Sequence, residues 1–457
     1  MVFSGLVFLF IFLPSVLLVY YLVPFKLKNA VLAIFSLVFY AWGEPVYVLL
    51  MLYSVVLNYA SALIMESSPN KKQVLVFNVV MNLLILGFFK YCGFLTGIVR
   101  DITGADIPEL KVALPIGISF YTFQALSYVI DVYRGKVKPQ RNIVDFAAYI
   151  AMFPQLIAGP IVRYSDISAQ LRKRRISLEG FGRGSMRFTF GLAKKALLAN
   201  LLGETVKMLG TGDLTVLGAW IAAVCFTLQI YFDFSGYSDM AIGLGRMLGF
   251  RIGENFDHPY ISSSVTEFWR RWHISLGSWF REYVYIPLGG NRVSAAKHIR
   301  NIMIVWFLTG LWHGAAWNFI VWGLYYGLLL LFEKYVLSHI KLPKAVALPL
   351  TMLFVIIGWV IFSANDMASA FSSIGAMFGA GAAGLTDKLS VLALIESWKL
   401  IIVGALFATP LPAMLCKKLT DNEAGKAAVM IYAMALLVLC TAFMSAQSYN
   451  PFMYFRF

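Results

Sequence analysis

The sequence predicts an all-α polytopic membrane protein with about ten to twelve transmembrane helices plus re-entrant and interfacial helices. Of its 457 residues, 60% are hydrophobic and 13% are charged, whereas a soluble domain carries about 25% charged residues. Apolar runs long enough to cross a bilayer recur along the whole chain. No polar stretch between them is large enough to fold alone, so residues 1–457 are predicted to form a single integral-membrane domain.

The predicted spans are the runs that approach the roughly 20 apolar residues needed for a bilayer crossing. The first run lacks a basic leader and a small-residue cleavage site, and is therefore interpreted as a retained span and not a signal peptide. One or two of the others are expected to be re-entrant. The candidate spans lie near residues 4–24, 29–43, 46–64, 74–98, 112–130, 145–161, 186–209, 215–235, 301–332, 346–363, 399–416 and 427–446.

The net charge of +15 is attributed to cytoplasmic loops, because Lys and Arg concentrate on that side of membrane proteins. Basic pairs or triplets after alternate spans predict that the N-terminus is outside. The most basic segment, residues 163–195, has no nucleic-acid-binding signature beside it, so no nucleic-acid partner is expected. The four cysteines show no CxxC spacing, which indicates neither a disulfide framework nor a zinc site.

Residues 301–332 contain no Asp, Glu, Lys or Arg, and their one histidine is His313. An ionisable side chain at membrane depth is costly and usually functional, although a polar residue that bridges two helices is the alternative. A single helix here would be about 48 Å long, against about 30 Å of hydrocarbon, so it must tilt, protrude or break. Gly310 and Gly314 favour a break that lines a cavity. Together with Gly323 and Gly327 they also fit small-xxx-small helix packing.

The segment around His273 has a different pattern. Ser264 and Glu267 have the spacing of a capping box, and Pro287 with Gly289 and Gly290 ends the segment. Between them, an aromatic stripe that includes Trp272 and His273 alternates with an arginine-rich face at helical spacing. This pattern predicts one amphipathic helix lying in the membrane interface. The alternative is a surface-anchoring helix with His273 packed on its apolar side and no chemical role.

Four segments resemble the membrane-bound O-acyltransferase family, and the resemblance covers most of the chain. They are FPQLIAGPIVRY (153–164), YFDFSGYSDMAIGLGRMLGF (231–250), ENFDHPYISSSVTEFWRRWHISLGSWFREYVYIPLGG (254–290) and GLWHGAAWNFIVWGLYYG (310–327). The final SYNPFMYFRF and the IPLGGNR at 286–292 are most similar to the branch that O-acetylates bacterial polysaccharides such as alginate. The family whose members transfer D-alanine to teichoic acid is a nearer relative than the eukaryotic lipid acyltransferases.

The resemblance implies a multi-helix enzyme with a tunnel through the bilayer, which moves an acyl group from a cytoplasmic thioester towards an acceptor. The family's catalytic histidine falls on His313 and its second motif histidine on His273. The polysaccharide branch implies acetyl-CoA as the acyl donor, no tightly bound cofactor, and a location in the bacterial inner (cytoplasmic) membrane. It also implies an extracytoplasmic partner of the SGNH hydrolase type, a polysaccharide acceptor and contact with membrane lipids.

Acyl transfer to an alcohol needs a base for the hydroxyl proton and donors for the developing oxyanion. A buried imidazole resists protonation, so His313 is the candidate general base. His273, or the indole and amide groups near the two histidines, would position the donor or the oxyanion. The proposed substrate-binding residues are Trp312, Trp317, Asn318, Trp272, Arg270, Arg271, Asp233 and Ser235.

Several of these assignments have structural alternatives. Asp233 and Ser235 would either line the tunnel or cap a helix end. Arg270 and Arg271, like Arg246 and Arg251, would either hold coenzyme A phosphates or orient the protein in the membrane. No metal-ligand spacing is present. The rival functions are D-alanyl transfer to teichoic acid, a scaffold for an extracytoplasmic transferase, and a proton-coupled transporter, which also uses broken apolar helices.

Overall fold

The computed structural model describes residues 1–108, 110, 112–157, 159–210, 214–337, 340 and 342–446. Throughout these residues the regular structure is helical, which confirms the all-α prediction. The C-terminal SYNPFMYFRF motif lies outside the described residues. The chain divides into two compact units, the first made of Met1–Phe188 and Tyr237–Gly253, and the second made of Thr189–Gly236 and the chain from Glu254 onwards. The single integral-membrane domain expected from the sequence stays a prediction.

Seven helices of the described chain are long and apolar enough to cross a membrane, against the ten to twelve predicted. The other predicted spans correspond to shorter or interrupted helices, because glycine, proline or polar residues divide the apolar runs. The predicted span 186–209, for example, includes a wide π-helical stretch at Lys194–Ala199. The seven helices are Phe25–Gly43, Val48–Ser67, Lys71–Thr103, Val216–Met247, Lys344–Ser363, Lys388–Phe407 and Glu423–Ala446.

The first unit has an aromatic core and a buried basic residue. Phenylalanine rings from the N-terminal segment pack against Phe39 and Phe153. Arg174, from the most basic segment of the chain, donates hydrogen bonds to Tyr20 Oη (2.9 Å) and Asn29 Oδ1 (2.8 Å). This arginine therefore holds the unit together as well as contributing charge. The helices are α1 (Leu13–Leu22), α2 (Phe25–Gly43), α3 (Val48–Ser67), α4 (Lys71–Thr103), α5 (Ile118–Tyr133), α6 (Ile143–Ala151), α7 (Phe153–Leu156) and α8 (Tyr164–Arg172).

The second unit contains both motif histidines. Two helices, α9 (Leu178–Ala193) and α11 (Val216–Met247), contribute residues to both units. The remaining helices belong to the second unit alone. They are α10 (Asn200–Leu209), α12 (Val265–Arg271), α13 (Ile274–Phe280), α14 (Ala295–His313), α15 (Trp317–Tyr335), α16 (Lys344–Ser363), α17 (Met367–Met377), α18 (Lys388–Phe407), α19 (Leu411–Leu419) and α20 (Glu423–Ala446).

The long apolar run at 301–332 breaks immediately after His313, as the glycines predicted. Helix α14 ends at His313 and α15 begins at Trp317, and the two helices pack against each other as an antiparallel hairpin. A Cβ on Gly310 would overlap the backbone carbonyl of Phe319, and one on Gly323 would overlap that of Trp306. Only glycine permits this close approach, so the break and the small-residue packing are both present.

The segment 264–290 is not the single helix that its periodicity predicted. Ser264 does cap α12, since its Oγ accepts a hydrogen bond from the Glu267 amide (3.0 Å). The helix then stops after Arg271, and His273 adopts a left-handed conformation with φ +46° before α13 begins. Helical spacing on both sides of a two-residue interruption looks continuous in sequence. The interruption depends instead on contacts with Asn255, which lies 18 residues earlier.

Candidate active site

His313 is buried at the end of α14 among aromatic rings. It is 6% exposed, and its ring meets three others edge-on, Trp322 at 4.9 Å, Trp312 at 5.0 Å and Phe362 at 5.3 Å between centroids. The partners come from α14, α15 and α16, so the hairpin and a neighbouring helix together enclose the imidazole. A polar ring in such surroundings is poorly solvated, which favours its uncharged form.

His273 is the second buried imidazole of this unit and is 2% exposed. Its Nδ1 lies 3.2 Å from Asn255 Oδ1, and the ring of Phe234 meets it edge-on at 4.7 Å. His273 is outside the seven candidate spanning helices, and desolvation lowers its pKa to about 3. At physiological pH it is therefore a neutral imidazole.

Trp312 connects the two histidines. Its ring centroid is 5.9 Å from that of His273 and 5.0 Å from that of His313. These separations place the two imidazole centroids within about 11 Å of each other. The structure therefore brings together three of the predicted site residues, which come from motifs 40 positions apart in sequence.

Trp272, Trp359 and Trp322 form an aromatic wall, and Trp272 is the member beside α12. It is 3% exposed, and its ring lies 4.7 Å from Trp359, which in turn stacks on Trp322 at 6.1 Å. Trp322 contacts His313 directly, so the wall is continuous from the His273 segment to the end of α14. The indole N–H of Trp322 is buried and has no hydrogen-bond partner among the described residues. It is therefore a hydrogen-bond donor available next to His313.

Asn318 and Trp317 occupy the first turn of α15 but differ in placement. Asn318 is 2% exposed, and its Nδ2 donates to the carbonyl of Ala364 at 2.9 Å. It therefore fastens the start of α15 to the end of α16, which contributes Phe362 to the enclosure. Trp317 is 55% exposed, so it lies outside the buried aromatic wall.

Asp233 and Ser235 lie in the middle of α11 and not at a helix end, so the helix-capping alternative is wrong. Asp233 forms a buried ion pair with Lys195, and the two side chains are 3% and 4% exposed. The hydroxyl of Ser235 is buried without a hydrogen-bond partner among the described residues. The neighbouring Phe234 contacts His273, which places this part of α11 beside the second histidine.

The arginines considered for phosphate binding differ in their exposure and in their ion-pair partners. Arg271 is engaged with carboxylates, Glu267 Oε1 at 2.9 Å and Asp257 Oδ2 at 3.4 Å. Arg270 is exposed on the other side of α12, and Arg246 and Arg251 are exposed in the first unit. For Arg270, phosphate binding and orientation of the protein in the membrane therefore both remain alternatives. Arg271 has a structural role, because it joins α12 to the preceding segment. The described residues contain no cluster of three potential metal ligands.

Four residues near the histidines were missed by the sequence reasoning, namely Asn255, Phe234, Trp322 and Phe362. Asn255 and Phe234 are within segments that carry the family resemblance, but nothing in their spacing connects them with His273. Trp322 is nine residues after His313, and the hairpin turn brings it back. Phe362 is one of many phenylalanines in apolar runs, and no sequence signal distinguishes it.

Comparison with known proteins identifies the family of this chain. The family model for membrane-bound O-acyltransferases matches residues 139–371. The chain is 41% identical to the probable alginate O-acetylase of Azotobacter vinelandii, covering all of both proteins. It is 31% identical to the peptidoglycan O-acetyltransferase of Helicobacter pylori, covering 100% of this chain and 98% of that protein. It is 30% identical to the teichoic acid D-alanyltransferase of Bacillus subtilis, over 54% and 68% of the respective chains. The chain therefore belongs to the membrane-bound O-acyltransferase family, and it is a multi-pass membrane O-acyltransferase.

Proposed function

We propose that this protein takes an acetyl group from acetyl-CoA at the cytoplasmic face of the bacterial inner membrane. It passes the group across the membrane for O-acetylation of an extracellular or periplasmic polysaccharide. An extracytoplasmic protein of the SGNH type is the proposed partner that completes the transfer to sugar. The observation that carries this proposal is the buried aromatic site, where one tryptophan contacts both His313 and His273.

In the proposed reaction His313 is the general base. It takes the proton from the acceptor hydroxyl while the hydroxyl oxygen attacks the thioester carbonyl. The C–S bond then breaks, and the departing thiolate receives the proton from the imidazolium, so that coenzyme A leaves as a thiol and the acetyl ester is formed. The reaction is redox-neutral and consumes no other reactant.

The developing oxyanion needs a hydrogen-bond donor in a site that excludes water. The indole N–H of Trp322 is the group that we assign to this role, because it is buried, has no other partner among the described residues, and belongs to a ring 4.9 Å from His313. Trp312, Trp317 and Asn318 were the sequence-based candidates, and of these Trp312 contacts both histidines. Removal of one such donor typically lowers kcat by about 10²–10³.

Coenzyme A release from acetyl-CoA by the purified protein tests this proposal. The substitution His313→Ala should abolish release and leave the amount of folded protein in the membrane unchanged. His298→Ala is the matched control, since His298 is a buried histidine of the same helix, 15 residues away. If His313→Ala releases coenzyme A at the rate of the unmodified protein, the assignment of the base is wrong.

D-alanyl transfer to teichoic acid is the second candidate, and the partial similarity to a D-alanyltransferase favours it over unrelated functions. The two differ in the donor that they accept. A protein that ignores acetyl-CoA but accepts a D-alanyl thioester on a carrier protein would support the second candidate. A proton-coupled transporter would accept neither thioester, and would instead carry protons in liposomes.

A further inference from the structure

His273 is held in a backbone conformation that a residue with a side chain rarely adopts. Its φ of +46° is in the left-handed region, and His258 is the only other non-glycine residue of the described chain with positive φ. This conformation is less stable than the right-handed one for a residue with a Cβ atom. Such strain persists only where the surrounding contacts determine the backbone, and it concentrates at functional sites.

Asn255 supplies those contacts. Its side-chain oxygen accepts hydrogen bonds from the backbone amide of Ser275 (3.2 Å) and from the Ser275 hydroxyl (2.9 Å). Its backbone carbonyl accepts another from the amide of Ile274 (3.0 Å). Asn255 is 1% exposed, so these bonds do not compete with water. They fix the first turn of α13 and with it the position of His273.

The same contacts determine which side-chain atom of Asn255 faces His273. A backbone N–H can only donate, so the atom that faces the Ser275 amide must be the oxygen and not the nitrogen. His273 Nδ1 lies 3.2 Å from that same oxygen. Since the oxygen can only accept, Nδ1 must carry a hydrogen. A neutral imidazole has one N–H, and therefore His273 Nε2 has a free lone pair.

That lone pair is buried in aromatic surroundings. Nε2 of His273 has no hydrogen-bond partner among the described residues, and the nearest rings belong to Phe234 and Trp312. Leaving a buried acceptor without a partner is destabilising. The strained backbone and the unsatisfied nitrogen are on the same residue, which is separated from the proposed base by the ring of Trp312.

We propose that Asn255 is a positioning residue that locks His273 in the Nδ1–H tautomer, so that Nε2 accepts a hydrogen bond from an O–H or N–H group of the acceptor other than the hydroxyl that reacts. This inference rests on the proposed function. It excludes His273 as a donor to the oxyanion, because Nε2 has no hydrogen to give. His273 orients the acceptor through that second group, His313 removes the proton of the reacting hydroxyl, and the indole N–H of Trp322 stabilises the oxyanion.

Nitrogen-15 NMR of the purified protein labelled at histidine measures the tautomer directly, since protonated and unprotonated ring nitrogens have separate chemical shifts. The signal of His273 is assigned by its disappearance in His273→Gln. We expect a single Nδ1–H tautomer in the unmodified protein. A His273 signal from the Nε2–H tautomer would overturn the proposal.

Two substitutions at Asn255 test its role. Asn255→Asp keeps an oxygen acceptor and should retain the Nδ1–H tautomer. Asn255→Leu removes the acceptor and should mix the two tautomers, with kcat per folded enzyme at least tenfold below that of Asn255→Asp and a smaller change in KM for acetyl-CoA. An unchanged tautomer in folded Asn255→Leu would show that Asn255 does not set it. If Asn255→Leu does not fold, the unmodified protein and Asn255→Asp still decide the question.

Asn58→Leu is the matched control for loss of a buried, hydrogen-bonded asparagine. Asn58 is fully buried in the first unit and bonds to Ser54 and Asn82. Its replacement should lower stability and leave the His273 signal unchanged. The result is also separable from the proposed function. An Nδ1–H tautomer together with an active His313→Ala variant would support the positioning role of Asn255 and refute the proposed base.

Discussion

Gly310→Ala tests whether close packing of the α14–α15 hairpin positions His313. The added Cβ would overlap the carbonyl oxygen of Phe319, and would lie 3.1 Å from the Phe319 carbonyl carbon and 3.3 Å from the Ile320 Cα. These are backbone atoms, so no side-chain rotation relieves the contact. Restoring ordinary carbon contacts of about 3.5–4.0 Å requires the helices to separate by on the order of 1 Å.

The expected cost has two parts. Overpacking of this kind lowers the free energy of unfolding by about 1–3 kcal/mol. His313 is three residues after Gly310, so its ring moves with the helix, and a displacement of about 1 Å at a reacting group lowers the rate by about 10²-fold. Thermal unfolding in detergent measures the first effect, and kcat for coenzyme A release measures the second.

Gly327→Ala is the matched control in the same hairpin. Its Cβ would meet the Met303 sulfur at 3.1 Å and the Trp306 Cβ at 3.3 Å. A methionine side chain adapts readily, so a smaller loss of stability and near-normal kcat are expected. The reasoning is refuted if Gly310→Ala matches Gly327→Ala in both measurements, because the hairpin contact would then not control the position of the base.

Two further predictions concern neighbouring parts of the second unit. Trp322→Phe keeps a ring beside His313 but removes the indole N–H, so kcat should fall by about 10²–10³-fold. Trp306→Phe is the control, because the Trp306 ring packs on Trp269, and its kcat should stay within a few-fold of the unmodified protein. Equal kcat values for the two variants would eliminate Trp322 as the oxyanion donor. Lys195→Met leaves Asp233 as a buried charge without its ion-pair partner and should lower the free energy of unfolding by about 3–5 kcal/mol, while the double substitution with Asp233→Leu should recover most of that loss. Thermal unfolding of both variants decides between this outcome and a pair that contributes nothing.

The fold could be predicted where it depends on composition or on glycine spacing within one segment. The all-α membrane class follows from apolar content alone. The break after His313 follows from a run too long for the bilayer and from Gly310 and Gly314, because both the length mismatch and the missing Cβ atoms are visible in one segment. Seven helices of the described chain have the length and composition of a bilayer crossing, fewer than the ten to twelve predicted, because hydropathy does not distinguish a long continuous helix from an apolar run such as 186–209 that contains a π-helical stretch.

The site was predictable only in part. Family motifs identified His313, His273 and Trp312, and the structure brings them together. The left-handed turn at His273 escaped prediction because it depends on Asn255, and helical periodicity continues on both sides of it. Asp233 was expected either to line the tunnel or to cap a helix end, and its ion pair was not predicted, because its partner Lys195 lies 38 residues earlier and in a different helical segment. In each case the missing information is a long-range contact between polar groups.

The state of His273 also bears on the rival function of proton-coupled transport. A proton carrier must bind and release its proton within the physiological pH range. Burial lowers the pKa of His273 to about 3. The side-chain contacts at its Nδ1 are with the amide of Asn255 and the hydroxyl of Ser275, which are neutral and supply no charge to favour the imidazolium. A fixed, uncharged imidazole with one unpaired, buried nitrogen lone pair suits the orientation of a substrate hydrogen-bond donor and not the storage of a proton. This argument counts against proton transport through His273, independently of family resemblance.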